Sequence, residues 1–167
     1  MGDSYSEVLV KKQITLTDRL KKGTLILLFI LAAFAGLFIH VYFFLAAILL
    51  GAAAFFLLPT FDMEYEYLLV NRELDIDKIY SKSKRKKAAQ FHLDEMELFA
   101  PLDSQRMEYH NSNTRLRIKD YSSGLKDAKI YGMIIRDDRE LCKVLLEPDG
   151  QMIETLRKTY PNKVFVD

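Results

Sequence analysis

Hydrophobic and polar positions divide the chain into three parts. Between residues 24 and 61 there is no Lys, Arg, Asp or Glu, and the polar side chains are few: Thr24, His40, Tyr42 and Thr60. One straight helix over these roughly 38 residues would be about 57 Å long. A hydrocarbon core is only about 30 Å thick, so two passes of about 16 to 18 residues fit where one does not. His40–Tyr42 is the most polar point of the run. The pattern therefore predicts a transmembrane hairpin, with helices over about 24–39 and 41–58 and Pro59 marking the exit. Lys21 and Lys22 can snorkel to relieve the short first helix. A cleaved signal is disfavoured, because the apolar run is too long and begins behind some twenty residues of charged sequence.

After Pro59 the period changes to two. Residues 62–68 and 74–80 alternate around Asn71-Arg72-Glu73, which predicts a strand hairpin. Residues 81–87 read as a basic loop, 89–93 and 97–100 as short strands, and 104–114 as a polar surface loop. A strand over 116–121 and a turn at Ser122-Ser123-Gly124 follow. Residues 130–136 and 141–147 form a second hairpin about Asp137-Asp138-Arg139-Glu140. Pro148-Asp149-Gly150 opens a helix over about 150–160, with Met152, Ile153, Leu156 and Tyr160 on its apolar side. Residues 164–166 are a last short strand or a tail.

Before the apolar run, residues 4–12 carry β-branched side chains with weak alternation. They are either a strand joining the C-terminal domain or a loose arm on the membrane. Thr15 with Asp18 fits a capping box, so a helix starting there competes with a disordered leader. The expected division is a cytoplasmic N-terminal arm over 1–23, the transmembrane hairpin over 24–61, and a cytoplasmic β domain over 62–167. The fold class is an α+β membrane protein whose hairpin leads into an antiparallel β-barrel or sandwich with a C-terminal capping helix.

Four stretches carry a family likeness: 64–70 (Glu-Tyr-Glu-Tyr-Leu-Leu-Val), 73–79 (Glu-Leu-Asp-Ile-Asp-Lys-Ile), 83–87 (Ser-Lys-Arg-Lys-Lys) and 145–148 (Leu-Leu-Glu-Pro). With the layout above, the chain resembles small bacterial membrane proteins in which two transmembrane helices lead directly into a pleckstrin-homology-like (PH-like) domain. More narrowly, it is similar to a family of uncharacterised membrane proteins of Gram-positive bacteria, defined as a domain of unknown function. The resemblance implies architecture and location, and no activity, because PH-like folds host many functions.

Charge adds the orientation. The whole chain carries a formal net charge of +1. Lys11, Lys12, Arg19, Lys21 and Lys22 precede the first helix, and Arg72, Lys78 and a dense basic run follow the second. The connection between the helices has neither Lys nor Arg, so the positive-inside rule places both termini in the cytoplasm of a multi-pass cell-membrane protein. The part after the apolar run is near neutral, which excludes a global nucleic-acid footprint. Cys142 is the sole cysteine, so neither an intramolecular disulfide nor a Cys-based metal cluster is available.

Candidate chemistry is sparse. His92-Leu93-Asp94-Glu95-x-Glu97 contains ligand-type residues, with His92, Asp94 and Met96 on one face if the segment is a strand, but no zinc or calcium spacing. Glu64/Glu66 and Asp75/Asp77 alternate with apolar residues as the outer face of strands. Ser122-Ser123-Gly124 is no nucleophile elbow, and no phosphate-binding loop is present. The expectation is no enzyme, no catalytic residue, no metal and no cofactor. Ala32 with Gly36, and Ala47 with Gly51, have the spacing that lets helices approach closely, although such residues are common in membrane helices. Lys82, Lys84, Arg85, Lys86 and Lys87 are either solvated or topogenic, face anionic lipid headgroups, or meet a protein. Chain direction favours lipid contact, because the second strand returns the chain toward the helix exit. The function expected is a membrane-anchored, non-enzymatic interaction or sensing module at the inner leaflet. Its partners would be the bilayer, anionic headgroups or an unidentified protein, and not nucleic acid. The alternative is an accessory subunit of a transport or envelope-biogenesis complex acting through the transmembrane hairpin.

Overall fold

The first strand, β1 (Tyr5–Lys11), buries Ser6, Val8 and Val10 and exposes the residues between them. It runs antiparallel to β2 (Met63–Val70), in register from Tyr5↔Val70 to Lys11↔Glu64. The computed structural model describes residues 5–138 and 140–166; position 4, where the segment read above as 4–12 begins, and Arg139 lie outside them. Of the two readings open for the N-terminal segment, the strand is the one observed.

Two paired strands are thus separated in sequence by a helical insert. Helix α1 (Leu16–Phe38) begins at Thr15 with the full capping box: Asp18 N–H donates to Thr15 Oγ1 and Thr15 N–H to Asp18 Oδ2, each at 3.2 Å. This cap starts the helix eight residues before the apolar run. Helix α2 (Tyr42–Leu57) continues into a 3-10 turn over Leu58–Phe61 with Pro59 in its first turn. Both are long and apolar enough to cross a membrane. The chain forms two compact units. One holds residues 13–63 and 80–84, and the other holds 5–12, 64–79 and 85–166.

In the second unit the first sheet has the order β1-β2-β3-β4, with β3 at Glu73–Tyr80 and β4 at Lys84–His92. The basic stretch 81–87 is therefore not a loop. Only 81–83 turn, and Lys84–Lys87 are the first half of β4. Ser81 and Lys82 both take positive φ, 46° and 58°, and Ser83 N–H donates to Tyr80 O at 3.1 Å. This is a type I′ turn, whose twist matches that of the flanking strands. The strand was hidden because an exposed edge strand needs no apolar alternation, and lysine is a common device for blunting such edges.

The second sheet has the order β5-β7-β8-β6, with β5 at Met96–Pro101, β6 at Arg117–Asp120, β7 at Tyr131–Asp137 and β8 at Glu140–Leu146. Its β5/β7 and β7/β8 pairs are antiparallel, but β6 runs parallel to β8. The expected all-antiparallel domain is corrected on this point. Periodicity finds a strand and says nothing about its neighbour. The region 104–114 is also corrected, from loop to helix α3 (Gln105–Ser112). Its only fully buried side chain is Met107, which packs with Ala100, Leu116 and Ile134 against the second sheet. Gly132 makes room for it: a Cβ there would lie 2.9 Å from Met107 Cε. Covered on both faces, β7 reads as the unbroken apolar run Tyr131–Ile135.

Tyr67, Leu69, Leu74 and Ile76 of the first sheet and Phe99, Met133 and Ile135 of the second are fully buried. Helix α4 (Gly150–Thr159) is capped by Asp149, which accepts from Met152 N–H at 2.7 Å, and it buries Met152 and Leu156. Beyond it, Val164 bridges Phe99, with Phe165 N–H donating to Phe99 O at 2.8 Å.

Two outcomes follow for stability. Replacing residues 12–63 with a short Asn-Gly-containing loop should leave a soluble, cooperatively unfolding β domain, because Lys11 and Glu64 are already paired. A chain starting at Asp62 lacks β1 and should be less stable. In the loop-replaced protein Leu156→Ala, at a site 2% exposed, should cost about 2–5 kcal/mol. Urea denaturation measures both, and insensitivity to Leu156→Ala would mean that α4 caps nothing.

Candidate functional site

The acids read as strand outer faces and the basic run meet on the outer face of the first sheet. Arg85 Nη2 donates to Glu66 Oε1 at 2.6 Å and its Nε lies 3.8 Å from Asp77. Lys87 Nζ is 2.9 Å from Asp75 Oδ1, without hydrogen-bond geometry, and donates to Gln90 at 2.9 Å. Gln90 in turn donates to Glu73 at 3.0 Å, and His92 lies 3.2 Å from the same carboxylate. Strand β4 is thus laid beside β3 by a ladder of opposite charges as well as by its backbone. Glu66 is only 5% exposed. Burial pushes its carboxyl above the usual range, Arg85 pulls it back, and Glu7 and Asp77 add to the rise.

The five basic residues therefore separate. Arg85 and Lys87 are held by acids of their own sheet. Among the described residues Lys82, Lys84 and Lys86 carry no ion pair. In the helical unit the turn holding Lys82 is tied to the helix exit. Ser81 N–H donates to Asp62 O at 2.8 Å and Ser81 Oγ to Pro59 O at 3.3 Å. Beside this junction is a cavity of about 630 Å³. Phe55, Phe56 and Leu58 form its apolar wall, and Lys22, Asp62 and Lys84 bring charge to it.

The small residues act inside the helical hairpin. A Cβ on Gly36 would lie 3.0 Å from the Phe44 ring, and one on Gly51 would lie 3.1 Å from Phe29. Ala47 is 5% exposed and Ala32 half-buried. His40 sits between the helices, its ring stacked on Tyr42 at 4.6 Å.

The polar groups considered for chemistry have structural partners. The segment after His92 is a 3-10 turn, Leu93–Glu95, and not a strand. Asp94 accepts from Tyr160 Oη at 2.9 Å and from Arg72 at 3.3 Å, while its carbonyl accepts from Lys163 Nζ at 3.1 Å. These bonds hold the Asp94 carboxyl below its usual range. Burial and the carboxylate beside it push the Tyr160 phenol up to about 12. Glu147 Oε1 accepts from both the N–H and Oγ of Ser123, at 2.6 and 2.7 Å. Tyr67, fully buried, donates to Tyr121 O at 2.6 Å, and burial drives its phenol far up. No group of three or more His, Cys, Asp or Glu with metal-binding geometry occurs among the described residues. Sequence reasoning missed Lys22 and the Phe55–Phe56 wall as cavity residues, because only the fold brings them to the turn at 81–83.

Among the described residues, two four-stranded sheets and a C-terminal helix, with an apolar helical hairpin inserted after the first strand, make an α+β protein. Residues 2–166 match a family model described as Bacterial PH-like domain (DUF6106), and the chain belongs to that family. It is a domain of unknown function, so membership brings the fold and no specific role. Neither curated proteins nor solved structures give a match.

Loss of Arg85 should test the ladder. In Arg85→Gln the buried Glu66 loses its cation, and stability near neutral pH should fall by about 1–3 kcal/mol, discounted because Arg85 is more than half exposed. The sign with pH is set by the raised folded-state carboxyl. Its contribution to stability is fully present below the unfolded value of about 4.3 and is lost as pH rises through the folded value. The gap between wild type and variant should therefore narrow toward pH ~4. Denaturation midpoints at several pH values measure it, and a pH-independent gap would exclude Glu66 as the cause.

Proposed function

We propose that the chain is a membrane-anchored, non-enzymatic interaction module. Its hairpin crosses the bilayer and its β domain works at the cytoplasmic face of the cell membrane on anionic headgroups or a protein partner. The observation that carries this reading is the β1–β2 pairing around the apolar insert. Two strands of one sheet lie on one side of a bilayer, so an insert that leaves after Lys11 and returns at Met63 crosses an even number of times. Two helices meet that requirement. Only 6% of each helix's apolar window is buried within the protein, and side chains such as Leu31, Phe34, Leu45 and Leu49 face outward. An apolar surface of that extent calls for lipid or a partner rather than water.

The basic flanks on the strand side of both helices support the cytoplasmic orientation. The non-enzymatic reading is supported by the structural use of the polar groups that sequence offered for chemistry: Asp94 ties Tyr160 and Arg72, and Glu147 ties Ser123. Gly36 and Gly51 are taken up by Phe44 and Phe29 of the same hairpin. This favours an anchor over an accessory subunit that would use those residues against another protein.

Single-cysteine labelling tests the topology. On a Cys142→Ser background, Val41→Cys should react with an impermeant reagent outside intact cells. Asp103→Cys should react only after the membrane is opened. Strong outside labelling at position 103 would overturn the orientation.

A further inference from the structure

We infer that the cavity beside the helix exit is a binding site for one anionic glycerophospholipid, an inference that rests on the membrane anchoring proposed above. Lys22 is the last charge of α1 before the apolar run, and Lys84 opens β4 more than sixty residues later. The fold brings both to one cavity of about 630 Å³, within the range of about 300–1,000 Å³ common for ligand sites. Both are exposed, and among the described residues neither has an ion pair. Asp62 shares the cavity. The two ammoniums make this wall electropositive, the complement of an anionic phosphodiester. Ser83 lines the same cavity and carries a neutral hydroxyl donor.

The remaining wall decides between a free anion and a lipid. Phe55 and Phe56, set edge to face at 5.5 Å, are 75% and 71% exposed. They lie at the end of α2, where the cavity joins the outward apolar surface of the hairpin. A small soluble anion would neutralise the lysines and leave both rings uncovered. A neutral acyl chain would cover the rings and leave the lysines uncompensated. A phospholipid does both, with its phosphate between Lys22 and Lys84 and a chain along Phe55 and Phe56. The turn at 81–83 forms one side of the site and is fixed to the helix exit through Ser81, so the polar wall is built before the lipid arrives. That preorganisation lowers the ordering cost of binding.

The full chain, purified in a neutral detergent, should bind phosphatidylglycerol saturably, read by native mass spectrometry and by a rise in its thermal midpoint. Phosphatidylcholine should bind weakly, and glycerol 3-phosphate or inorganic phosphate at millimolar concentration should leave the midpoint unchanged. Lys22→Gln with Lys84→Gln should weaken phosphatidylglycerol binding by about twenty-fivefold, taking each lysine as roughly a fivefold effect. Lys22→Arg with Lys84→Arg should retain it, which separates loss of charge from loss of folding. Lys86→Gln, outside the cavity, should bind as wild type. Unchanged binding by the double Gln variant, equal binding of phosphatidylcholine, or an equal shift with glycerol 3-phosphate would each overturn the site. Binding in detergent does not depend on which side the β domain occupies. Outside labelling at position 103 would sink the cytoplasmic orientation alone, and a failed lipid titration would sink this site alone.

Discussion

The antiparallel pairing of β1 with β2 is the constraint on which the rest depends. It makes residues 12–62 a closed excursion from one edge of a sheet. Loop closure is entropically inexpensive in length, since each doubling adds only about 0.6 kcal/mol. A long insert is therefore tolerated if its ends are returned to strand-pairing distance. An antiparallel helical hairpin does that through its own geometry, and the close contacts Gly36–Phe44 and Gly51–Phe29 keep its two arms together. The capping box at Thr15 and the 3-10 turn at Leu58–Phe61 are the two points where the strand path is handed to a helix and taken back.

Much of this was legible where one face of an element is wet and the other dry. The alternation in 62–80, the hairpin of β7 and β8 and the apolar side of α4 are readable because burial imposes a period on the sequence. The missed elements lack such a period for identifiable reasons. Helix α3 is anchored by Met107 alone among mostly polar residues, so its composition is that of a loop. The first half of β4 is exposed on both faces and is aligned by Arg85 and Lys87 against Glu66, Asp77 and Asp75, a pattern that appears only when the partner strand is known. Strand β6 was readable as a strand over 116–121, but its parallel pairing with β8 is a fact of chain path.

The candidate site was half legible for a related reason. A dense basic run announces itself, but sequence treats its members as equivalent. The structure divides them by what lies opposite. Arg85 and Lys87 complete a charge ladder, so their first role is to offset buried and half-buried carboxylates. Lys82 and Lys84 belong to the helical unit, where the neighbouring groups are the backbone of the helix exit and two phenylalanines. The second cation of the cavity, Lys22, reads in sequence as a snorkelling residue at the edge of an apolar run. Its meeting with Lys84 is a consequence of the closed excursion.

The turn at 81–83 is bound to the hairpin exit within the helical unit. Type I′ turns favour Asn-Gly because both central residues need positive φ. Here the pair is Ser81-Lys82, and neither residue takes that region without cost. Such backbone persists where the surroundings over-determine it. At Ser81 the surroundings are explicit: its N–H is bound by Asp62 O and its hydroxyl by Pro59 O, both at the helix exit. An Asn at position 81 would relax the backbone and remove the hydroxyl that holds Pro59. A Gly at position 82 would relax it further and remove a lysine. The sequence keeps the strained pair, and the strain is offset by bonds that fix the β3–β4 turn to the end of the hairpin. The same bonds fix Lys84 beside the cavity, so the position of that lysine in the cavity wall is set by how the chain leaves the helices.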